Sequence, residues 1–194
     1  MSGADRARWD ARHAAVGLGA PMPPDGLRGR ESLLPAAGRA LDVACGRGAI
    51  AVWLAQRGFT VDAVDVSGVG LESARALAES AGVAEAVRLV EADLDGGLPV
   101  DGPYDLVVCQ RFRAPALYPA LADALAPGGL LVVTVLSEVD DEPGEFRAVP
   151  GELAAAFGAL GALDVLAHEE GDGAATLLAV RAPLGSPPPR RGPS

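Results

Sequence analysis

No stretch of the 194-residue chain constrains its fold more than residues 39–65, RALDVACGRGAIAVWLAQRGFTVDAVD. A short apolar run, Ala40 to Ala44, breaks at Cys45-Gly46-Arg47-Gly48 and passes into an apolar helical stretch. A β-branched run follows and ends on Asp65. Strand, glycine turn, helix, strand and closing acid make half of a doubly wound α/β sheet, the layout that holds a nucleoside cofactor at the carboxyl edge of its strands. Glycine in the turn admits a ligand where a Cβ would clash. An acid closing the second strand can accept hydrogen bonds from both hydroxyls of a ribose.

Two cofactor types share this layout, and Asp42 separates them. Gly46-x-Gly48-x-x-Ala51 with Asp65 downstream reads loosely as a dinucleotide fingerprint, in which glycines bring a pyrophosphate to a helix N-terminus. A carboxylate at Asp42 is unhelpful beside a pyrophosphate and useful beside an ammonium. The stretch resembles the first motif of class I S-adenosylmethionine-dependent methyltransferases, in the form LDxACGxG, with Ala44 where the first glycine usually stands. An NAD(P)-dependent Rossmann oxidoreductase is the first rival reading, and a non-catalytic S-adenosylmethionine-binding partner subunit the second.

The rest of the chain extends the α/β pattern. Gly48 to Arg57 predicts the first crossover helix, ended by Gly58. Ser67 is placed to cap a second helix through Leu71, Ala74, Leu77 and Ala78, closed by Gly82. Val87 to Asp93 predicts strand three and Tyr104 to Gln110 strand four. The ten residues between them reach roughly 33 Å, enough to cross three strand spacings of about 14 Å. Strand four therefore lies beside strand one, and ligands bind at the switch between them. Pro115 to Ala126 reads as a helix, Leu130 to Leu136 as strand five, Pro150 to Phe157 as a short helix. Leu163 to His168 and Ala175 to Val180 read as an antiparallel hairpin. The expected fold is an α/β Rossmann-like sheet of seven strands in the order 3-2-1-4-5-7-6. Residues 1–30 form an N-terminal lid or cap, 31–182 the main domain, and 183–194, rich in Pro, Ser and Gly, a disordered tail.

The resemblance assigns roles residue by residue. It implies S-adenosyl-L-methionine with Asp42 neutralising its ammonium, and the backbone of Ala44, Gly46 and Gly48 beside the methionine part. It implies Asp65 on the ribose diol, Val66 against the adenine, Asp93 and the Leu94 N–H on the adenine edge, and Gln110 at the end of strand four. The WxxR pattern of Trp9 and Arg12 is similar to the cap of small methyltransferases of the tellurite-resistance type. Methyl transfer needs alignment more than a strong base. The candidates for a base or a positioning group are Gln110, Arg111, Arg113, Tyr118 and, in the cap, His13. The segment CQRFRAP is similar to that of a bacterial methyltransferase subgroup that carries a histidine where Arg113-Ala114 stand here, so the resemblance supplies no general base.

Composition narrows the partners. A formal charge of −10 opposes binding to a phosphate backbone, and strand four lacks the Asn/Asp-Pro-Pro-Tyr/Phe motif of adenine methyltransferases. Val108-Cys109-Gln110 echoes the Pro-Cys-Gln of cytosine C5 enzymes without its proline, so Cys109 reads as a buried strand residue. Cys45 and Cys109 lack the spacing of a zinc site or a disulfide framework, and no metal is expected. His168 reads as structural. The start, MSGADRARWDAR, lacks an apolar h-region, and no run of about 18 apolar residues occurs. The expectation is a cytoplasmic enzyme, monomeric or homodimeric, acting on a small molecule and on neither nucleic acid nor membrane.

Overall fold

Residues 3–183 are described by a computed structural model of the chain. Eight strands form one sheet: β1 Gly38–Val43, β2 Phe59–Asp65, β3 Val87–Glu91, β4 Tyr104–Gln110, β5 Leu125–Ser137, β6 Arg147–Ala148, β7 Leu163–Gly171 and β8 Ala174–Arg181. Their order is β3-β2-β1-β4-β5-β8-β7, with the two-residue β6 paired to β5. Strands β1 to β5 pair in parallel, while β8 runs antiparallel to both β5 and β7. The sequence expectation of seven strands thus omits only β6, which is too short to show a pattern.

Side chains alternate across this sheet, as strand geometry demands. Ala40, Leu106, Val108 and Val132 face one way and pack with Ile50, Trp53 and Leu54 of α2 (Ala49–Ala55). Leu41, Val43, Val107 and Val133 face the other way, onto Tyr118 and Leu121 of α4 (Tyr118–Asp123) and Leu153 and Phe157 of α5 (Glu152–Ala159). Val52 of α2 meets Leu77 and Ala78 of α3 (Gly68–Ser80). Ser67 caps α3 by accepting the Gly70 N–H at 3.0 Å.

Three boundaries differ from the sequence reading. Strand β3 stops at Glu91, whose register partner is Asp65, so Asp93 lies beyond the ladder. Its carboxylate accepts the Asp95 N–H at 3.0 Å and caps a single 3-10 turn, Leu94–Gly96. The helix expected over 115–126 is a 3-10 turn followed by the six-residue α4, because β5 begins early, at Leu125 opposite Tyr104. Pro127 and the two glycines after it form a bulge inside β5 rather than a turn before it.

The segment ahead of the sheet has two parts. Helix α1 (Gly3–Ala14) contributes nothing to the buried core clusters. Leu27 by contrast is fully buried, and a Cβ on Gly26 would lie 2.7 Å from Thr176 Cγ2 and 3.1 Å from Val132 Cγ1. So residues 25–27, grouped in sequence with the cap, seal the sheet. All of the expected tail except Pro183 lies outside the described residues.

Candidate active site

Asp65 organises the carboxyl edge. As the last residue of β2 it is 7% exposed, and its two oxygens take separate backbone donors. Gly46 N–H donates to Oδ2 at 2.8 Å and Ser67 N–H to Oδ1 at 2.9 Å. One carboxylate therefore ties the glycine turn after β1 to the cap of α3. Between them is a cavity of about 130 Å3, lined by Trp9, His13, Ala44, Gly46, Asp65, Val66, Leu94, Gln110, Arg111 and Phe112. Ala44, Gly46, Asp65, Val66, Leu94 and Gln110 are the expected cofactor residues that reach it.

Asp42, Gly48 and Asp93 do not line that cavity, for three different reasons. Asp42 pairs in register with Ala63, two residues short of Asp65, so it lies a layer beneath the floor. It is 1% exposed, and Oδ2 has no hydrogen-bond partner. Burial pushes its carboxyl up to about 8, against the pull of the Ala51 N–H at the start of α2 and with a further push from Asp65. Gly48 faces α3 instead of a ligand: its φ is +75°, and a Cβ there would sit 2.6 Å from the Ala74 Cβ. Its glycine serves the approach of α2 to α3. Asp93 has left the strand edge, as described above.

Ala44 explains why glycine is the usual residue at its position. Its φ is +56°, in the left-handed region, which costs an L-residue about 1–2 kcal/mol. The short side chain keeps that cost bearable and places a methyl group on the cavity wall.

Helix α1 closes the site from above. Asp10 Oδ1 accepts from Ser67 Oγ at 2.5 Å, and Arg6 pairs with Glu91 at 2.7 Å. Trp9 and His13 stack at 5.8 Å. The His13 ring lies over two glycines, where a Cβ on Gly46 would meet Cε1 at 3.3 Å and one on Gly70 would meet Cδ2 at 3.1 Å. Burial lowers the His13 pKa; Asp65 and Asp10 oppose that shift, while Arg47 and Arg12 reinforce it. The imidazole is thus held neutral at neutral pH.

A second cavity of about 490 Å3 adjoins the first and shares Trp9, Arg111 and Phe112 with it. Its apolar walls include Pro115, Leu136 and Phe146, and Arg8 and Arg12 reach it from α1. Sequence reading missed Phe112, Leu136 and Phe146, since apolar side chains in loops and strand ends carry no periodic signal. It also missed Asp25, whose N–H donates to Gln110 Oε1 at 2.8 Å and whose carboxylate accepts from Gln110 Nε2 at 3.1 Å.

The five candidates for a base or positioning group separate cleanly. Tyr118 lines neither cavity: it is buried on Phe157, donates to Glu152 Oε1 at 3.3 Å, and burial raises its hydroxyl pKa. Arg113 is held by Glu152 through Nε at 2.9 Å and Nη2 at 2.6 Å, and forms part of the larger cavity wall. Arg111 lines both cavities, Gln110 is clipped to Asp25, and only His13 is a neutral proton acceptor. Cys109 is buried in β4, and burial lifts its thiol to about 12. His168, in β7, lines neither cavity.

A parallel sheet in this order, closed by an antiparallel hairpin and opened at a glycine turn beside β4, is the Rossmann-like fold of class I S-adenosylmethionine-dependent methyltransferases. Over residues 40–129 the sequence matches the family described as "Methyltransferase domain". The match takes in the sheet from Ala40 in β1 through β4 to the start of β5. It is 47% identical over 73 residues to the release factor glutamine methyltransferase of Chlorobaculum tepidum, covering 35% of this chain and 25% of that one. It is 33% identical over 103 residues to the ubiquinone biosynthesis O-methyltransferase of Caulobacter sp., covering 51% and 41%. The chain thus spans a quarter to less than half of these curated relatives. The crystal structure of TehB from Haemophilus influenzae superposes with a TM-score of 0.66 at 17% identity, over 81% of this chain and 61% of that one, a likeness of fold. Among the described residues no helix is long and apolar enough to cross a membrane, and no group of three or more His, Cys, Asp or Glu could hold a metal ion.

Proposed function

We propose that the chain transfers the methyl group of S-adenosylmethionine to a small-molecule acceptor. The observation that carries this reading is the pair of adjoining cavities, with Trp9, Arg111 and Phe112 on the shared boundary. A volume of about 490 Å3 suits a compact organic molecule, well within the usual range for small-ligand sites. The ubiquinone biosynthesis relative is in keeping with such an acceptor.

The residues present fit the cofactor. Asp65 retains lone pairs for a ribose diol beyond its two backbone donors. Val66 and Leu94 supply the apolar faces for a purine, with Asp93 at the outer edge. Ala44 and Gly46 expose backbone for the amino-acid part, and the orphaned oxygen of Asp42 is an acceptor awaiting a cation. When bound, the sulfonium supplies an activated methyl group, and the protein supplies alignment and a dry site. Trp9 and Phe112 exclude water from the boundary, and neutral His13 is placed to take up a proton that the acceptor loses.

A cavity of about 130 Å3 lies below the range of roughly 300–1,000 Å3 usual for ligand sites. A full nucleoside therefore enters only when α1, with Trp9 and His13, swings away. The tethers of α1 allow this: Arg6–Glu91 is a half-exposed ion pair, of a kind worth about 0.2–1 kcal/mol. Residues 3–20 thus act as the lid. Calorimetric titration should show S-adenosylhomocysteine binding the intact chain, with NAD binding far more weakly. The reverse preference would overturn the cofactor assignment. Deleting residues 1–20 should leave the ligand-free melting temperature nearly unchanged but shrink the stabilisation conferred by S-adenosylhomocysteine. An undiminished ligand-induced shift in the truncated chain would end the lid hypothesis.

A further inference from the structure

The chain is acidic overall, with a formal charge of −10, yet four arginines line the larger cavity. Against Arg8, Arg12, Arg111 and Arg113 it sets only Asp5 and Asp95. Two of the four already hold carboxylates: Arg113 is clamped by Glu152 at 2.6 Å, and Arg8 meets Asp5 at 3.1 Å. Arg111 is different. Its side chain is 70% exposed and comes no nearer than 3.4 Å to Asp25, which also serves Arg28 at 3.2 Å and Gln110. Among the described residues no carboxylate pairs with Arg12, whose guanidinium lies 5.3 Å from the centre of the Trp9 ring.

Like charges gathered around a part-apolar cavity repel one another unless an anion joins them. A guanidinium offers a planar fork of donors that matches a carboxylate. The remaining walls, Phe112, Pro115, Leu136 and Phe146, suit an apolar or aromatic body. An inorganic oxyanion would leave most of a 490 Å3 cavity and all of those walls unused. We infer that the methyl acceptor is an organic carboxylate with an apolar body, its anionic end held between Arg12 and Arg111. This rests on the methyl-transfer reading above and gives its acceptor a chemical class. The carboxylate is the handle by which the molecule is oriented.

Matched pairs of aromatic acids and their carboxamides test the assignment: benzoate and benzamide, 4-hydroxyphenylacetate and its amide, indole-3-acetate and its amide. Each is titrated into the full chain saturated with S-adenosylhomocysteine. The acids should bind at least about tenfold more tightly than the amides, the scale of one hydrogen-bonded charge. Arg12→Gln and Arg111→Gln should each remove most of that preference while leaving amide binding near its wild-type level. If S-adenosylhomocysteine itself fails to bind the wild-type chain, the methyl-transfer reading fails and takes this one with it. If it binds and the acids show no preference over the amides, or the preference survives Arg12→Gln, the anion assignment alone is overturned.

Discussion

Asp65→Ala should lose cofactor binding and weaken the fold together. The carboxylate is the common acceptor of Gly46 N–H and Ser67 N–H, and each buried donor left without a partner costs about 1–3 kcal/mol. Destabilisation of roughly 2–6 kcal/mol follows from those two donors alone. Cofactor affinity should fall by ten- to a hundredfold or more, since a hydrogen bond to a charged group is worth about 1.5–3 kcal/mol. Asp65→Asn keeps one carbonyl oxygen and should fall between the two in stability, which separates the binding loss from unfolding. Thermal melts and calorimetry with S-adenosylhomocysteine measure both quantities. Normal ligand affinity in a folded Asp65→Ala chain would show that the ribose does not sit on this acid.

Asp42→Asn is expected to do the opposite to stability. The carboxyl is 1% exposed, and burial, its main perturbation, lifts it from 3.8 to about 8. A folded-state pKa above the unfolded value means that the folded chain holds a proton which the unfolded chain releases. The stability linked to Asp42 is therefore full below about pH 4 and is lost progressively up to about pH 8. At pH 7 the loss amounts to about 4 kcal/mol from the shift alone. Asparagine keeps the shape and an acceptor for Ala51 N–H without that cost. The variant should melt like the parent near pH 4 and well above it at pH 7 to 8. An equal difference at both pH values would mean that Asp42 is charged in the folded protein. The same variant should weaken S-adenosylhomocysteine about tenfold or more, because a neutral amide cannot balance an ammonium. Unchanged affinity would sink the ammonium assignment and leave Asp42 as a buried structural acid.

The part of the fold legible in sequence was the part written in periodic patterns. The short apolar runs at Ala40–Val43 and Leu106–Cys109 announce strands with both faces covered, and the glycine turn and Ser67 cap follow local rules. Boundaries were lost where tertiary pairing overrides local preference. Leu125 joins β5 because Tyr104 lies opposite, and β3 stops at Glu91 although apolar Ala92 follows. In the site, chain order placed Asp65 at the end of its strand, but it could not show that Asp42 lies two residues deeper or that Gly48 faces Ala74. The walls of the larger cavity were invisible because Phe112, Leu136 and Phe146 come together only in space.

The Asp65–Gly46–Ser67 tie comes from one stretch of the chain, and the walls of the larger cavity from several. The tie lies wholly inside residues 40–129, which the family holds in common, whereas Arg8, Arg12, Leu136 and Phe146 lie outside them. Arg113, though inside, is fixed by Glu152 from beyond that span. The tie is thus encoded within the matched span alone, while the larger cavity is completed by Arg8 and Arg12 from before that span and by Leu136 and Phe146 from after it. Substitutions in those flanks can therefore reshape the larger cavity without disturbing the turn that Asp65 ties.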